Sequence, residues 1–288
     1  MAQTALSTTG GGPPVVLIHG LGLDGRMWRR QGPALVAAGY TVVTCDLLGH
    51  GRSDTPARAG ATYTAADLSE SLTRALDGVG LDRAAFVGFS LGGAVALWTA
   101  LSLPDRVAGL VLANTSAWMG PEAPERFMAR AAAVEAKGVE VLIQPALERW
   151  FTAGFLAARP DIGEHYAALL RQNDAYGYAA ACRALATFDV RARLGEIRCP
   201  TLVLVGDHDQ ATPPEMATLM ATKIPGASLG VLASSGHLST EECAERFNEH
   251  LLGFLRRVTT GAGAPAGDSP RREQACPGGP DTSSTSPV

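Results

Sequence analysis

The sequence predicts an α/β protein with one mostly parallel β-sheet covered by helices on both faces and interrupted by a helical insertion. Short apolar runs alternate with longer stretches of helical spacing from residue 14 onward. These runs are apolar almost throughout, which is typical of parallel strands buried on both sides. The alternation stops between about residues 118 and 190, where the chain is rich in alanine at helical spacing. One layered core with an inserted helical unit follows.

Six apolar runs are predicted to be strands: residues 15–19, 41–45, 84–89, 107–113, 201–205 and 228–232. The clearest helices are predicted at residues 65–76, 91–103, 215–224 and 244–257. Each helix is bounded by glycine, proline or a polar capping residue, which marks where a helix can begin or end.

The chain divides into a core, a cap and a tail. The predicted α/β core comprises residues 1–117 and 191–258, and the predicted helical cap comprises residues 118–190. An insertion between two core strands should lie over the carboxyl ends of the strands, where open α/β sheets bind ligands. Residues 259–288 are rich in Gly, Pro, Ser and Thr with few apolar side chains, so a disordered tail is expected.

Composition narrows the function classes. The formal net charge is -4 without a basic cluster, so neither nucleic acid nor an anionic membrane is an expected partner. A signal peptide and a transmembrane stretch are absent from the sequence, which predicts a cytoplasmic protein. The five cysteines lack the paired spacing of a zinc site or a disulfide framework. Nothing in the sequence indicates the oligomeric state.

The candidate nucleophile is Ser90, in the segment Gly88-Phe89-Ser90-Leu91-Gly92. The segment closes a predicted strand and opens a predicted helix, which is the setting of a G-x-S-x-G nucleophile elbow. Glycines are needed there because the serine occupies a strained turn and neighbouring backbone must pass close to it.

The candidate base is His237. A serine hydroxyl is a weak nucleophile, so it needs a base within hydrogen-bond reach and a carboxylate to orient that base. In this fold the order along the chain is Ser, Asp, His. His237 follows Ser90 and lies in a loop directly after a predicted strand. His19 and His50 precede the serine, His165 lies in the helical insertion and His250 lies inside a predicted helix.

The orienting acid is sought in the segment from residue 206 to 213, directly after a predicted strand. Asp209 is favoured because it lies three residues after the glycine that ends the strand, before a proline and a helix. Asp207 stays open as the alternative.

The oxyanion hole is expected to use backbone N–H groups of Leu91, directly after the nucleophile, and Leu21, in the loop after the first apolar strand.

Two hypotheses from other classes were considered. The loop also contains Gly20-x-Gly22-x-x-Gly25, with Asp46 ending the next strand, which resembles the dinucleotide fingerprint of a nicotinamide-dependent oxidoreductase. Asp24 opposes this hypothesis because it brings a carboxylate to the place where a pyrophosphate would bind. A non-catalytic small-molecule receptor would also fit the fold, but such proteins usually lose part of the triad.

Residues 15–255 resemble the α/β-hydrolase superfamily through four motifs: HGLG (19–22), DLLGHGRSD (46–54), GFSLGG (88–93) and GDHDQATPP (206–214). More narrowly, the chain resembles the 3-oxoadipate enol-lactonases of aromatic-acid catabolism and the beta-ketoadipate pathway. This likeness adds ERWFT (148–152), GYAA (177–180) with Cys182, GHLS (236–239) and ERF (245–247). By resemblance, Ser90, Asp209 and His237 take the triad positions.

Two features depart from that family. Many members carry a Ser-Asn-Ser-Leu-Gly type of oxyanion loop, whereas this chain has the HGLG form that is commoner in esterases. About a dozen residues precede Val15, too few for the two-strand hairpin that usually starts the fold. A sheet of six or seven strands is therefore expected.

The resemblance implies a serine hydrolase that opens a small enol-lactone carrying a free carboxylate, through an acyl-enzyme and without a metal or organic cofactor. The same motifs suit a general carboxylesterase or lactonase, a perhydrolase or a C–C bond hydrolase, because substrate choice in this fold depends on the cap.

A basic cap residue should meet the substrate carboxylate, since an unpaired charge in an apolar pocket costs several kcal/mol. Arginine suits this role because its planar fork binds a carboxylate at two points. The candidates are Arg126, Arg130, Arg149, Arg159, Arg171 and Arg183. Trp150 offers an apolar wall for the ring. Because helix neighbours point to different sides, Arg149 and Trp150 are not expected to line the pocket together, which leaves Arg130 as the leading carboxylate partner.

Overall fold

The structure is a computed structural model that describes residues 2–55 and 58–260. Within this part, seven strands form a single sheet in the order β1-β3-β2-β4-β5-β6-β7. The strands are β1 (Ala5–Thr9), β2 (Pro14–Ile18), β3 (Thr41–Asp46), β4 (Ala84–Phe89), β5 (Val107–Ala113), β6 (Thr201–Gly206) and β7 (Ser228–Leu232). Neighbouring strands run parallel except for β1, which pairs antiparallel with β3. The predicted α/β class is confirmed.

The first strand is the element that the apolar pattern did not reveal. β1 forms an edge of the sheet, with Ala5 opposite Asp46 and Thr9 opposite Val42. Its sequence, ALSTT, is exposed or only partly buried, so it lacks the continuous apolar run by which the other six strands were predicted. Before β2 the described chain therefore contributes one strand to the sheet, where the hairpin would contribute two.

Helices of the core follow the predicted positions closely. They are α1 (Gln31–Ala37), α2 (Ala65–Gly78), α3 (Leu91–Ser102), α9 (Pro214–Lys223), α10 (Ser239–Glu242) and α11 (Ala244–Thr260). α1 packs against α11, whereas α2 packs against α3, which in turn lies on β4 and β5. The start of α2 shows why the sequence specified it: Thr64 and Asp67 form a reciprocal capping box that satisfies two backbone N–H groups.

The sheet forms the centre of the hydrophobic core. Every residue of β4 and β6 is buried, and Val16, Leu17 and Ile18 of β2 are fully excluded from solvent. Burial of apolar surface at about 25 cal/mol per Å² provides the main driving force for this arrangement. The rigid sheet fixes the loops at its carboxyl edge, where the candidate residues lie.

The cap is helical, and it consists of α4 (Ala123–Lys137), α5 (Ile143–Trp150), α6 (Ala153–Ala158), α7 (Pro160–Arg171) and α8 (Ala175–Ala186). An isolated antiparallel bridge pairs Trp118 with Asp189, so the two ends of the cap lie next to each other. Inside the cap α4 packs on α8, and a mostly buried ion pair at 2.8 Å links Arg183 to Glu135. We propose that these ends bound the insertion predicted at residues 118–190.

The predicted tail begins inside the last helix. α11 includes Thr259 and Thr260, and residues 261–288 lie outside the described residues, so the disorder predicted for them stays a prediction. No helix among the described residues has the length and apolar character to cross a membrane.

Candidate active site

Ser90 lies at the sharp turn between β4 and α3. Its φ of 52° and ψ of -114° are strained for a residue with a side chain. A Cβ added at Gly92 would lie 2.2 Å from the carbonyl oxygen of Ile18, and one at Gly88 would lie 2.4 Å from that of Gly92. The turn is further held by a hydrogen bond from the Ser90 N–H to the Ala113 carbonyl at 3.0 Å. The glycines thus provide the space that presents Ser90, as the motif predicted.

Asp209 follows β6 and its carboxylate is enclosed by donors. The backbone N–H groups of Ala211 and Thr212 donate to Oδ1 at 2.8 and 2.9 Å. The Thr212 hydroxyl and the Asn114 side-chain amide donate to Oδ2 at 2.8 and 3.0 Å. Asp209 is 3% exposed, so these bonds replace the water that burial removed.

The structure places Asp209, and not Asp207, beside the imidazole of His237. The ring Nδ1 lies 2.8 Å from Oδ2 and 3.0 Å from Oδ1 of Asp209. Asp207 instead accepts from the Ser235 N–H at 3.1 Å and contacts the ring of the exposed His208. Asp207 therefore supports the loop backbone, while Asp209 contacts the candidate base directly.

The environment of Asp209 keeps it ionised. Burial by itself raises the pKa of this carboxyl, but the neighbouring His237 charge and the hydrogen bonds from His237, Thr212 and Asn114 outweigh burial. The pKa of Asp209 consequently lies below its usual value. An ionised Asp209 favours the tautomer with the proton on Nδ1 of His237, which leaves Nε2 free to accept a proton.

His237 occupies the loop after β7, as the sequence predicted, and is 2% exposed. Its ring packs on that of Phe89, with centroids 4.9 Å apart. His237 and Ser90 line the same cavity, of about 200 Å³. Of the other histidines, His165 lies in the cap helix α7 and His250 lies within α11, as expected.

The two predicted oxyanion donors flank the serine. Leu91 is the first residue of α3, where a backbone N–H has no partner inside the helix. Leu21 lines the cavity together with Ser90. The loop that carries it passes close to the nucleophile, since a Cβ at Gly20 would lie 3.2 Å from the Cβ of Ser90. The Leu21 N–H donates no hydrogen bond to any residue that the structure describes, so it is available to an oxyanion.

The cap closes the cavity with a mixed apolar and cationic wall. The lining contains no aspartate or glutamate, and it comprises Leu21, Phe89, Ser90, Met119, Arg126, Phe127, Arg130, Arg149, Trp150, Tyr178, Leu185, Gln210, Ala211, Thr212 and His237. Both substrate-binding candidates from the sequence, Arg130 and Trp150, are therefore at the cavity.

Ion pairing separates the six cap arginines into two groups. Arg159, Arg171 and Arg183 each pair with a carboxylate. The other three, Arg126, Arg130 and Arg149, line the cavity, and none of them forms an ion pair with the residues that the structure describes. Three positive charges that have no ion-pair partner among the described residues therefore face the space above Ser90.

The expectation that Arg149 and Trp150 would not line the cavity together was wrong. Consecutive helical residues point about 100° apart, but α5 ends at Trp150, and the long Arg149 side chain next to that end reaches the same space. Burial, followed by the charge of Arg130, lowers the pKa of Arg149 to about 10. Arg149 is thus a candidate carboxylate partner beside Arg130.

Sequence reasoning missed Asn114, which follows β5 with a φ of 45° and is fully buried. Its side-chain amide donates to Asp209, and its Oδ1 accepts from the Ser239 hydroxyl at 2.5 Å. The only local signal was its position, directly after a strand at the carboxyl edge of the sheet. Glu242, a buried carboxylate next to the His237 loop, was also missed.

The glycine-rich loop does not offer a pyrophosphate site. The carboxylate of Asp46 accepts from the Gly25 N–H at 2.9 Å and pairs with Arg52. Asp24 caps the short 3-10 helix Gly25–Arg29 and pairs with Arg26. Because the chain's own carboxylates occupy these positions, the oxidoreductase hypothesis is contradicted.

Comparisons with known proteins agree with this geometry. Residues 13–152 match the family described as alpha/beta hydrolase fold. The chain is 35% identical over 245 residues to 3-oxoadipate enol-lactonase 2 of Acinetobacter baylyi, covering 85% of this chain and 89% of that protein. It is 36% identical over 259 residues to a Variovorax paradoxus protein named as a carbamate hydrolase, RutD, covering 88% and 96% of the two chains.

Among solved structures, the enol-lactonase from Burkholderia xenovorans LB400 superposes with a TM-score of 0.84 at 31% identity, covering 88% of this chain and 97% of that one. Sequence likeness, fold and the arrangement around Ser90 all lead to the same assignment. The chain belongs to the α/β-hydrolase family of enzymes.

Proposed function

We propose that this protein is a serine-dependent carboxylic-ester hydrolase that opens a small enol-lactone bearing a free carboxylate, converting 3-oxoadipate enol-lactone to 3-oxoadipate. The observation that carries this proposal is a single cavity. It joins Ser90 and His237, whose imidazole contacts Asp209, to three arginines that have no ion-pair partner among the described residues.

In the first half of the reaction, Ser90 Oγ attacks the lactone carbonyl while Nε2 of His237 takes the hydroxyl proton. Asp209 holds the ring and stabilises the imidazolium that forms. Negative charge on the carbonyl oxygen is met by the N–H groups of Leu21 and Leu91. Collapse of this intermediate breaks the ring C–O bond, and His237 protonates the leaving enol oxygen.

In the second half, the opened product stays attached to Ser90 as an ester while its enol tautomerises to a ketone. A water molecule that loses a proton to His237 attacks the ester carbonyl. The same N–H groups stabilise the second oxyanion. His237 then returns a proton to Ser90 Oγ, which releases the diacid and restores the enzyme.

The electrostatics of the cavity favour an acidic substrate. Like charge raises the energy of the three cationic side chains, Arg126, Arg130 and Arg149. The pKa values of Arg126 and Arg149 are lowered, with burial as the larger cause and the neighbouring arginine charge as the next. A carboxylate placed among them relieves this repulsion and forms charge-assisted hydrogen bonds. A neutral ester gains neither effect.

Shape favours a small ring. The cavity volume of about 200 Å³ is below the range usual for drug-sized ligands. Trp150 and Phe127 provide flat apolar walls, and Tyr178 extends them on a third side. A compact lactone with one charged arm suits this combination better than a long acyl chain.

A second candidate is a general esterase or a carbamate hydrolase of the same fold. The HGLG loop is the form commoner in esterases, and the likeness to a protein named as a carbamate hydrolase is similar in identity to that of the enol-lactonase. These activities would use the same triad with a different fit in the cap.

The test compares kcat/KM for 3-oxoadipate enol-lactone, a neutral aryl ester and carbamate on the purified protein. The proposal requires the lactone to be preferred by at least about a hundredfold, the equivalent of roughly 2.7 kcal/mol in transition-state binding. Equal values for lactone and aryl ester would indicate a general esterase. Preference for carbamate would contradict the lactone proposal and indicate a carbamate hydrolase.

A further inference from the structure

Glu242, the last residue of α10, lies buried between the His237 loop and the cap. Glu242 is only 7% exposed. Oε1 accepts from the backbone N–H of Thr152 at 2.7 Å and from its hydroxyl at 2.8 Å. Oε2 accepts from the backbone N–H of Gly236. One carboxylate therefore connects the residue before His237 to the turn between α5 and α6.

A second contact runs beside the first. The N–H of Leu238, the residue after His237, donates to the carbonyl of Trp150 at 2.8 Å. The two backbones approach closely, since a Cβ at Gly236 would lie 3.0 Å from that same carbonyl oxygen. Leu238 is thus bonded directly to the turn that begins with Trp150, and Gly236 is connected to the same turn through Glu242. The side chain of Trp150 lines the cavity.

The charge of Glu242 is stabilised by these bonds rather than by a cation. Among the described residues Glu242 forms no ion pair, whereas the adjacent Glu241 pairs with Arg29 and accepts from Tyr166 of α7. Burial raises the pKa of Glu242, and the bonds from Thr152 and Gly236 oppose that rise. A carboxylate in such a place is costly unless its donors stay in position, so it disfavours separation of the loop from the turn.

We propose that Glu242 is a positioning residue that holds the cap turn Trp150–Thr152 against the His237 loop, so that the cavity wall and the catalytic base keep a fixed spacing. The reason such a device matters is the steep dependence of rate on geometry, because a displacement of about 1 Å can lower the rate by about a hundredfold. This inference rests on the proposed role of His237 and does not depend on which ester or lactone is the substrate.

Two variants isolate the contact. Glu242→Gln keeps the shape but replaces one acceptor oxygen with an NH₂ group that must face an N–H of Gly236 or Thr152. Thr152→Val removes the hydroxyl, both as a donor to Glu242 and as the acceptor that caps α6 at the Phe155 N–H, and leaves the backbone bond to Glu242. Thr152→Ser is the matched control because it retains the hydroxyl, which also caps α6.

The assay uses 4-nitrophenyl acetate and 4-nitrophenyl butyrate, whose longer acyl chain must occupy more of the cavity below Trp150. Titration with a serine-directed phosphonate counts the intact sites, and Tm reports on folding. We expect Glu242→Gln and Thr152→Val each to raise KM for the butyrate roughly tenfold, with a smaller effect on the acetate. Thr152→Ser should stay within about twofold of the wild type, and the double variant should be no worse than Glu242→Gln, because both changes break one interaction.

A purely structural role would lower Tm while leaving KM and kcat per titrated site unchanged, and that result would overturn the proposal. Losses that multiply in the double variant would also overturn it, since they would show two independent effects. If Glu242→Gln does not fold, Thr152→Val and Thr152→Ser still decide the matter. Failure of the lactone proposal is distinguishable, because it would appear as absent lactone turnover in the wild type.

Discussion

Replacing Arg149 with methionine should make the free protein more stable and the enzyme less selective. Burial and the charge of Arg130 lower the pKa of Arg149 to about 10 from an ordinary 12.5. At 1.36 kcal/mol per pH unit, holding this charge in the folded state costs about 3 kcal/mol. Methionine fills a similar elongated volume without the charge. Lost contacts of the guanidinium offset part of the gain, so we expect a net stabilisation of about 1–2 kcal/mol.

The same substitution should weaken recognition of acidic substrates. A hydrogen bond to a charged group contributes about 1.5–3 kcal/mol, so kcat/KM for the enol-lactone should fall roughly 10- to 100-fold. For a neutral aryl ester, which has no carboxylate to bind, the change should be less than about threefold. The arginine thus destabilises the empty cavity and stabilises the occupied one.

Calorimetry and steady-state kinetics test both sides of this argument. A stabilisation of this size should raise Tm by roughly 2–8 °C. The matched control is Arg159→Met, because Arg159 is an exposed cap arginine that pairs with Asp161 at 2.8 Å outside the cavity lining. It should neither raise Tm nor lower selectivity. A lower Tm for Arg149→Met together with unchanged selectivity would refute the reasoning.

Four further substitutions test the candidate triad. Ser90→Ala should lower kcat at least about 10⁴-fold with Tm nearly unchanged; retention of a tenth of the activity would exclude Ser90 as nucleophile. Asp209→Asn should lower kcat by about 10⁴-fold and Asp207→Asn by less than about tenfold, because only Asp209 contacts the imidazole; the reverse order in kcat measurements would transfer the role to Asp207. Asn114→Asp places a second carboxylate beside Asp209, which raises the pKa of the Asp209 carboxyl through like-charge repulsion. The acid limb of its kcat/KM profile should therefore move to higher pH, and an unmoved limb would contradict this.

Sequence reasoning could locate the candidate residues whose position depends on local backbone. Ser90, Asp209 and His237 each lie in the segment that directly follows a strand, at the carboxyl edge of the sheet. The glycines around Ser90 and the three-residue offset of Asp209 are short-range patterns, so one sequence suffices to read them. Strand β1 was not predicted because its five residues bury little apolar surface.

The residues that sequence reasoning missed depend on contacts between distant parts of the chain. Asn114 reaches Asp209 across 95 positions, and Glu242 reaches Thr152 across 90. No periodic pattern encodes such a pair, because each partner satisfies its own local structure. The prediction about Arg149 was wrong for a different reason. The rule that neighbouring helical residues point to different sides was applied at the point where the helix ends.

Where the cap packs on the core, two sequence motifs that lie far apart in the chain depend on each other. Gly49 has a φ of 82°, and a Cβ there would lie 2.7 Å from the Cα of Gly177 in α8. A Cβ on Gly177 would in turn lie 2.3 Å from the Gly49 carbonyl oxygen. Either side chain would push the cap from the core, and Tyr178, the next residue, lines the cavity. Gly49 in DLLGHG and Gly177 in GYAA therefore serve one structural requirement, the close contact of the cap with the core. Substrate fit above Ser90 depends on both positions lacking a side chain.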